Sequence, residues 1–427
     1  MLTCTASRWT RAFYRPLVAY SVRRWQHTAA SGARLVAPTE RSAPPPAEPS
    51  DAPTDRLVDP DDGTVNLVWR LPQEHAGAAL EARSVSVRDG GRKLSVYLSS
   101  HTGCNRGCRF CHLTLQRQAA MRPATLDEYV RQMDGALRAS PPPDIAGTGV
   151  FVGGNWRIDV GPRRLNVNFM ARGEPLLNPN LATGGDARNL FSELDRVAAA
   201  HGWPAERVRY NVSTIFPKAA RGAPIEAIAP GTNAATLAAH RALWGDDEYV
   251  GPLGPPGRVW LYYSLYSVNE AWREKYMPAA TPARDALERL ARYQRATGSP
   301  VVLHWAWMAG QNDGNADLDA LCETLRAVDL RGRFQQISFN PPVPGDASAL
   351  ALRGWPDLKE PSPARLDYLF QRVSACVRAP DGLPMFSKRI DRVGRSVKAY
   401  CGGFVPPAER AFGAPAVVPT FASAAKN

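Results

Sequence analysis

From Leu94 onward the chain repeats one pattern six times. A short apolar or alternating run suited to a β-strand is followed by a longer stretch with apolar residues every three or four positions, as in an amphipathic helix. The pairs are Leu94–Leu98 with Leu126–Leu137, Leu165–Met170 with Ala187–Ala200, Val208–Val212 with Ala234–Leu243, Val259–Leu265 with Ala283–Ala296, Val301–Trp307 with Ala316–Val328, and Phe334–Phe339 with Leu366–Val377. Strands joined through helices run parallel, because the crossover returns the chain to the end where the first strand began. Six units in series predict an α/β fold closing as a partial (β/α)6 TIM-like barrel, with chemistry at the C-terminal ends of the strands.

The segment after the first predicted strand contains Cys104-x-x-x-Cys108-x-x-Cys111, three of the chain's seven cysteines within eight residues. Such crowding points to metal or redox chemistry, and two metals compete. Zinc sites draw tetrahedral ligands from two spaced pairs; no second pair exists, so a zinc reading must complete the set with His112. Three thiolates on one turn suit a [4Fe–4S] cube, with three irons held by sulfur and the fourth left open for reaction. Buried, unligated thiols are the third possibility.

Composition sets the surroundings. The chain has 427 residues, is 44% hydrophobic and lacks any apolar run near the length of a membrane span, so an integral membrane protein is not expected. The first 39 residues hold six arginines and no acid, with Trp9, Phe13, Leu17 and Tyr20 at helical spacing. This reads as a mitochondrial transit peptide over 1–37, with a disordered basic tail as the alternative. Without those arginines the net charge of +12 falls to +6, which permits a polyanionic partner without requiring one. A Pro- and Ser-rich linker is expected over 38–62, a β extension over 63–93, the core over 94–404 and a flexible tail over 405–427. Pro/Gly-rich insertions at 140–161, 222–232 and 251–257 read as surface loops.

The cysteine loop, with aromatic Phe110 just before its last thiol, resembles the cluster loop of the radical S-adenosylmethionine (SAM) superfamily. In that superfamily the open iron chelates SAM, and one-electron reduction cleaves it to a 5′-deoxyadenosyl radical. Further segments follow in order: Met170-Ala-Arg-Gly-Glu-Pro-Leu-Leu-Asn178, Val212-Ser-Thr214, Ser264-Leu-Tyr-Ser-Val-Asn269 with Arg273 and Pro278, Asn312-Asp-Gly314, Phe339-Asn-Pro341 and Tyr400-Cys-Gly-Gly-Phe404. Singly these are ordinary turns and strand-end polar residues. Together they resemble one radical SAM family, the rRNA and tRNA adenine-C2 methyltransferases with their adenine-C8 relatives, over roughly residues 62–404.

The resemblance implies a radical SAM barrel in which Cys104, Cys108 and Cys111 hold the cluster. Gly173, Glu174, Ser213, Ser264, Leu265, Tyr266 and Asn340 would contact SAM, Tyr266 standing where the family has histidine. Cys401 would be the catalytic thiol that carries the methyl group, since adenine C2 is not nucleophilic and needs a relay. The run Lys388, Arg389, Arg392, Arg395 and Lys398, with only Asp391 opposing it, could bind RNA phosphates or be a solvated basic face.

Three departures stand out. The family's second catalytic cysteine, which resolves the enzyme–RNA adduct as a disulfide, falls at Tyr97, and a phenol cannot form that bond. The family's upstream glutamate falls near Ser84, with Glu81 close by, and the family's N-terminal RNA-gripping domain has no counterpart. Cys322 and Cys376 sit within helical runs and read as core thiols. The resulting expectation is a mitochondrial-matrix radical SAM protein acting on or bound to rRNA, within the ribosome or its precursors, with a ferredoxin- or flavodoxin-type electron donor if active. The alternatives are a non-catalytic ribosome-assembly factor and a radical SAM enzyme with a different substrate.

Overall fold

In the computed structural model a ten-stranded sheet carries the site. Residues between 52 and 376 and the strand 386–390 are described, apart from intervening segments of which 246–256 and 341–357 are the longest. The described residues belong to a unit running over Ser50–Asn427; the other unit, Met1–Pro49, and with it the expected transit peptide, lies outside them.

The strands are β1 (Asp55–Val58), β2 (Val65–Arg70), β3 (Ala79–Val85), β4 (Lys93–Leu98), a separate hairpin of β5 (Val150–Val152) and β6 (Asn155–Arg157), then β7 (Arg164–Phe169), β8 (Val208–Thr214), β9 (Val259–Ser264), β10 (Val301–Ala306), β11 (Gly332–Ile337) and β12 (Phe386–Ile390). The helices are α1 (His112–Leu115), α2 (Leu126–Arg138), α3 (Pro179–Ala182), α4 (Gly184–Ala200), α5 (Ala234–Gly245), α6 (Glu270–Tyr276), α7 (Ala283–Thr297), α8 (Asn315–Ala327) and α9 (Pro363–Cys376).

The main sheet has the order β1-β2-β3-β4-β7-β8-β9-β10-β11-β12. Strands β4 and β7 to β12 are mutually parallel, whereas β1 to β3 extend the β4 edge as an antiparallel meander. All six predicted β–α units are present, with boundaries within three residues. Four strands were not predicted: β1, β12 and the hairpin of β5 and β6, which falls inside the insertion 140–161 read as a surface loop. β1 pairs with β2 inside the segment read as linker, so the ordered sheet starts at Asp55 rather than after residue 62. β12 adds a seventh parallel strand and takes Lys388 and Arg389 from the expected basic run into the sheet.

Alternation along the strands explains the layering. Leu165, Val167 and Phe169 of β7, with Val208, Tyr210 and Val212 of β8, join helix residues such as Leu190, Leu194, Leu287 and Leu290 in the main hydrophobic core. The intervening Asn166, Asn168, Arg209 and Asn211 are buried polar side chains, and Trp260, Tyr262 and Val302 form a separate apolar cluster. Helix α2 starts at a capping box in which Thr125 and Glu128 exchange side-chain-to-backbone hydrogen bonds, and its inner face buries Tyr129, Gln132, Met133, Ala136 and Leu137. Cys322 of α8 and Cys376 of α9 do pack on the core, as expected, but they also form a disulfide between the two helices. No helix among the described residues is long and apolar enough to cross a membrane.

Candidate functional site

The cysteine loop leaves β4 through Ser99, Ser100 and His101 and is shaped by two glycines. A Cβ at Gly103 would lie 2.3 Å from the Ala120 carbonyl oxygen and 2.6 Å from that of Gln118, so only glycine permits this approach. Gly107 has φ +70°, the left-handed turn between the first and second thiols. The Cys104 amide donates to Gln118 O (2.9 Å), the Cys111 amide to Cys108 O (3.0 Å) and the Arg109 amide to Tyr276 O (2.9 Å), which ties the loop to the end of α6.

Cys104 and Cys111 are half-buried, Cys108 is buried, and none of the three is in a disulfide. Cys108 belongs to an apolar cluster with Trp272, Tyr276, Met277 and Phe339, against which Phe110, Cys111 and Tyr266 pack. Among the described residues no group of three or more His, Cys, Asp or Glu side chains closes as a metal cage. The donor set nevertheless suits an iron–sulfur cube: three thiols on one turn with apolar cover on one side. His112 is engaged elsewhere, its Nε2 donating to Asn340 O at 2.9 Å, because a carbonyl can only accept. That contact ties the cysteine loop to the predicted SAM residue Asn340 and leaves Nδ1 as the ring nitrogen through which the zinc reading would have to use His112.

The glutamate loop follows β7. Gly173 has φ +93°, and a Cβ there would come within 2.5 Å of His101 Nδ1 and 2.7 Å of Ser100 Oγ, so this loop packs directly on the root of the cysteine loop. Glu174 is 3% exposed. It caps a short 3₁₀ turn at Pro175–Leu177, accepting from the Leu176 amide (3.3 Å) and the Ile215 amide (3.1 Å). Burial pushes its pKa from 4.5 up to about 7, against the opposing hydrogen bonds from Thr214 and the Ile215 and Leu176 amides.

Ser213 is half-buried near the end of β8, and Ser264 closes β9. Leu265 is fully buried, and Tyr266 holds a left-handed φ of +53°, an uncommon conformation for a tyrosine. Other residues of the matched segments maintain it. Arg273 donates to the carbonyls of Leu265 (2.5 Å), Ser267 (3.2 Å) and Thr281 (2.9 Å), while Asn269 caps α6. Asn312 donates to Tyr266 O (2.7 Å) and Ala306 O (3.0 Å). The Tyr266 ring meets Phe110 of the cysteine loop at 4.8 Å between centroids. The structure thus gathers Cys104, Cys108, Cys111, Gly173, Glu174, Ser213, Ser264, Leu265, Tyr266 and Asn340 at the C-terminal ends of the parallel strands. Cys401, Arg392, Arg395 and Lys398 lie outside the described residues.

Three features went unread in the sequence. His101 sits beneath Gly173 with a pKa lowered to about 4, chiefly by burial, so it is neutral. His304 is also neutral near pH 7 for the same reason, and its Nε2 lies 2.9 Å from Gln335 Oε1. Arg172 is buried against Glu81. Tyr97 is half-buried on β4, with the Arg83 guanidinium 5.6 Å from its ring centroid.

Over 284 residues the chain is 28% identical to the dual-specificity RNA methyltransferase RlmN of Phenylobacterium zucineum, a match covering 66% of this chain and 58% of that protein. It is 26% identical over 337 residues to a probable dual-specificity RNA methyltransferase RlmN of Synechococcus elongatus, covering 77% of this chain and 73% of the other. The chain therefore spans less than two thirds of the first relative's length. A crystal structure of a radical SAM methyltransferase from Sphaerobacter thermophilus shares the fold, with a TM-score of 0.53, 21% identity and coverage of 82% of this chain and 81% of that one. No protein-family model matches the chain.

Proposed function

We propose that this chain is a radical SAM protein of the RlmN/Cfr-like type that holds a [4Fe–4S] cluster on Cys104, Cys108 and Cys111, binds SAM beside it, and acts on organellar rRNA as an adenine methyltransferase-like enzyme, a reading supported by its similarity to the RNA methyltransferases above. The observation that carries this reading is the apposition of two loops. The turn bearing the thiols and the loop bearing Glu174 are packed together through Ser100, His101 and Gly173, with Phe110 against Tyr266 across the mouth.

When bound, the cluster supplies the electron for reductive cleavage of SAM. The chain's own residues do the positioning. Glu174, ionised, accepts from the SAM ammonium group; Gly173 lets the backbone approach; Arg273 and Asn312 fix the loop that presents Ser264, Leu265 and Tyr266. The apolar wall of Phe110, Trp272 and Phe339 limits water at Cys108. Cys401 is the methyl carrier in this proposal, and the mitochondrial matrix is its compartment.

A second reading has its own support. Tyr97 occupies the place of the resolving thiol, and Cys322 and Cys376 are bonded to each other on the outer helices, so neither substitutes for it. A ribosome-associated factor that keeps the fold as an RNA-binding platform is compatible with that loss. Mass spectrometry of Cys401 in native protein separates the two readings. S-methylcysteine at Cys401, together with 5′-deoxyadenosine formation on reduction, supports the enzyme. An unmodified thiol in cluster-loaded protein that co-purifies with ribosomal precursors supports the platform.

A further inference from the structure

We infer that the buried pair Arg172–Glu81 is a positioning device that sets the distance between the cysteine loop and the SAM-binding glutamate loop. This rests on the cofactor reading above. Arg172 stands immediately before Gly173-Glu174 and is 1% exposed, and Glu81 on β3 is wholly buried. Arg172 Nε donates to Glu81 Oε1 at 2.6 Å, and Nη1 reaches Thr102 O (3.3 Å) and Gly77 O (3.5 Å). Thr102 lies two residues before Cys104, so one guanidinium joins the antiparallel extension to the root of the thiol-bearing turn.

The backbone of Arg172 repeats the link from the other side. Its carbonyl accepts from the Ser100 amide (2.8 Å), Ser100 Oγ (3.0 Å) and the His101 amide (3.4 Å). Glu81 is itself fixed: its amide donates to Ser99 Oγ (2.8 Å), and Ser99 Oγ donates to its carbonyl (2.7 Å). Glu81 Oε2 has Arg83 Nη2 at 3.9 Å. The three segments 81–83, 99–102 and 172–174 therefore form one braced unit, and SAM must bridge two of them, from the open iron to Glu174.

Stability alone is a poor reason for such a pair. Removing two charges from water is costly, and replacing a buried ion pair by apolar side chains of similar volume is often neutral or stabilising. What the pair supplies and an apolar contact does not is direction: a planar fork aimed at one carboxylate and two carbonyls. A displacement of about 1 Å between groups that must grip the same ligand can lower function about a hundredfold.

The test uses the full chain, reconstituted anaerobically, with the double variant Glu81→Leu/Arg172→Met and the single variant Arg172→Lys. For the double variant we expect iron and sulfide content equal to wild type, a SAM dissociation constant raised at least tenfold, and a diminished SAM-induced change in the EPR signal of the reduced cluster. Arg172→Lys, which keeps the charge but not the fork, should fall between the two. In protein without iron, amide hydrogen exchange over 99–104 and 172–176 should rise at least tenfold in the double variant while α7 and β10 keep wild-type protection. That readout holds whether or not the wild type takes up a cluster, so a wild type that binds no iron overturns the cofactor reading and leaves the brace to be judged by exchange alone. SAM affinity within twofold of wild type in loaded double variant, or unchanged exchange in both segments, overturns the inference. Should the double variant fail to fold, Arg172→Lys decides it: a SAM dissociation constant raised at least threefold supports the brace, and wild-type affinity refutes it.

Discussion

Protonation of Glu174 should govern SAM binding near neutral pH. Its carboxyl is raised by burial from 4.5 to about 7, so the folded chain holds this proton more tightly than the unfolded chain does. For an acid raised in this way the stabilising contribution is complete below pH 4.5 and is lost as the pH climbs through about 7. The gap corresponds to about 3 kcal/mol in the ligand-free protein at pH 8. An ammonium group placed against the carboxylate reverses the preference, because it favours the charged form. Binding must then expel a proton wherever the free site is protonated. The ionised fraction of the free site runs from about a tenth at pH 6 to about nine tenths at pH 8, so SAM affinity should rise about tenfold across that interval. Isothermal titration calorimetry of reconstituted protein, in two buffers of different ionisation enthalpy, measures both the affinity and the proton released. Glu174→Gln should flatten the pH dependence, weaken binding at pH 8 by at least tenfold, and make the ligand-free chain more stable than wild type at pH 8 but not at pH 5. Affinity independent of pH in wild type, with no proton released at pH 6, would refute the assignment of Glu174 to the SAM ammonium group.

Other perturbations address separate parts of the account. Gly103→Ala should place a methyl group on the carbonyls of Gln118 and Ala120, destabilise the chain by about 1–3 kcal/mol and lower iron uptake, read by thermal melting and iron analysis. Cys322→Ser/Cys376→Ser removes a cross-link between residues 54 apart and should cost about 4 kcal/mol on the loop-entropy estimate, with dithiothreitol producing a comparable loss in wild type by chemical denaturation. Tyr97→Cys restores a thiol on β4 and should increase release of modified RNA in single-turnover assays; no change in release would count against a stalled adduct at Cys401.

The barrel was legible because its strands alternate cleanly. Leu165, Val167 and Phe169 mark the helix-facing side of β7 while Asn166 and Asn168 mark the other, and period-two patterning of this kind survives any tertiary context. β1 escaped because Asp55–Val58 is four residues long amid Pro and Ser, and its order comes from pairing with β2 rather than from its own pattern. β12 escaped because Lys388 and Arg389 made the segment read as a basic surface. The strand-end residues were recognisable as an ordered set, but their division of labour was not: nothing in the spacing says that Arg273 and Asn312 hold the loop that Tyr266 presents. Long-range pairing is the general blind spot. Cys322 and Cys376 are 54 residues apart and Glu81 and Arg172 are 91 apart, and each partner looks ordinary alone. Glu81 drew notice only as a near match to a missing glutamate, whereas the chain uses it to brace Arg172.

The central claim is that one turn of the chain holds a four-iron cube open to SAM. Anaerobic reconstitution of the full chain, followed by iron and acid-labile sulfide analysis and EPR of the reduced protein, tests it most directly. The account predicts close to four irons and four sulfides per chain, loss of both in Cys104→Ala, Cys108→Ala and Cys111→Ala, and a change in the EPR signal when SAM is added. A single tightly bound zinc, or a cluster that persists after those substitutions, would contradict it.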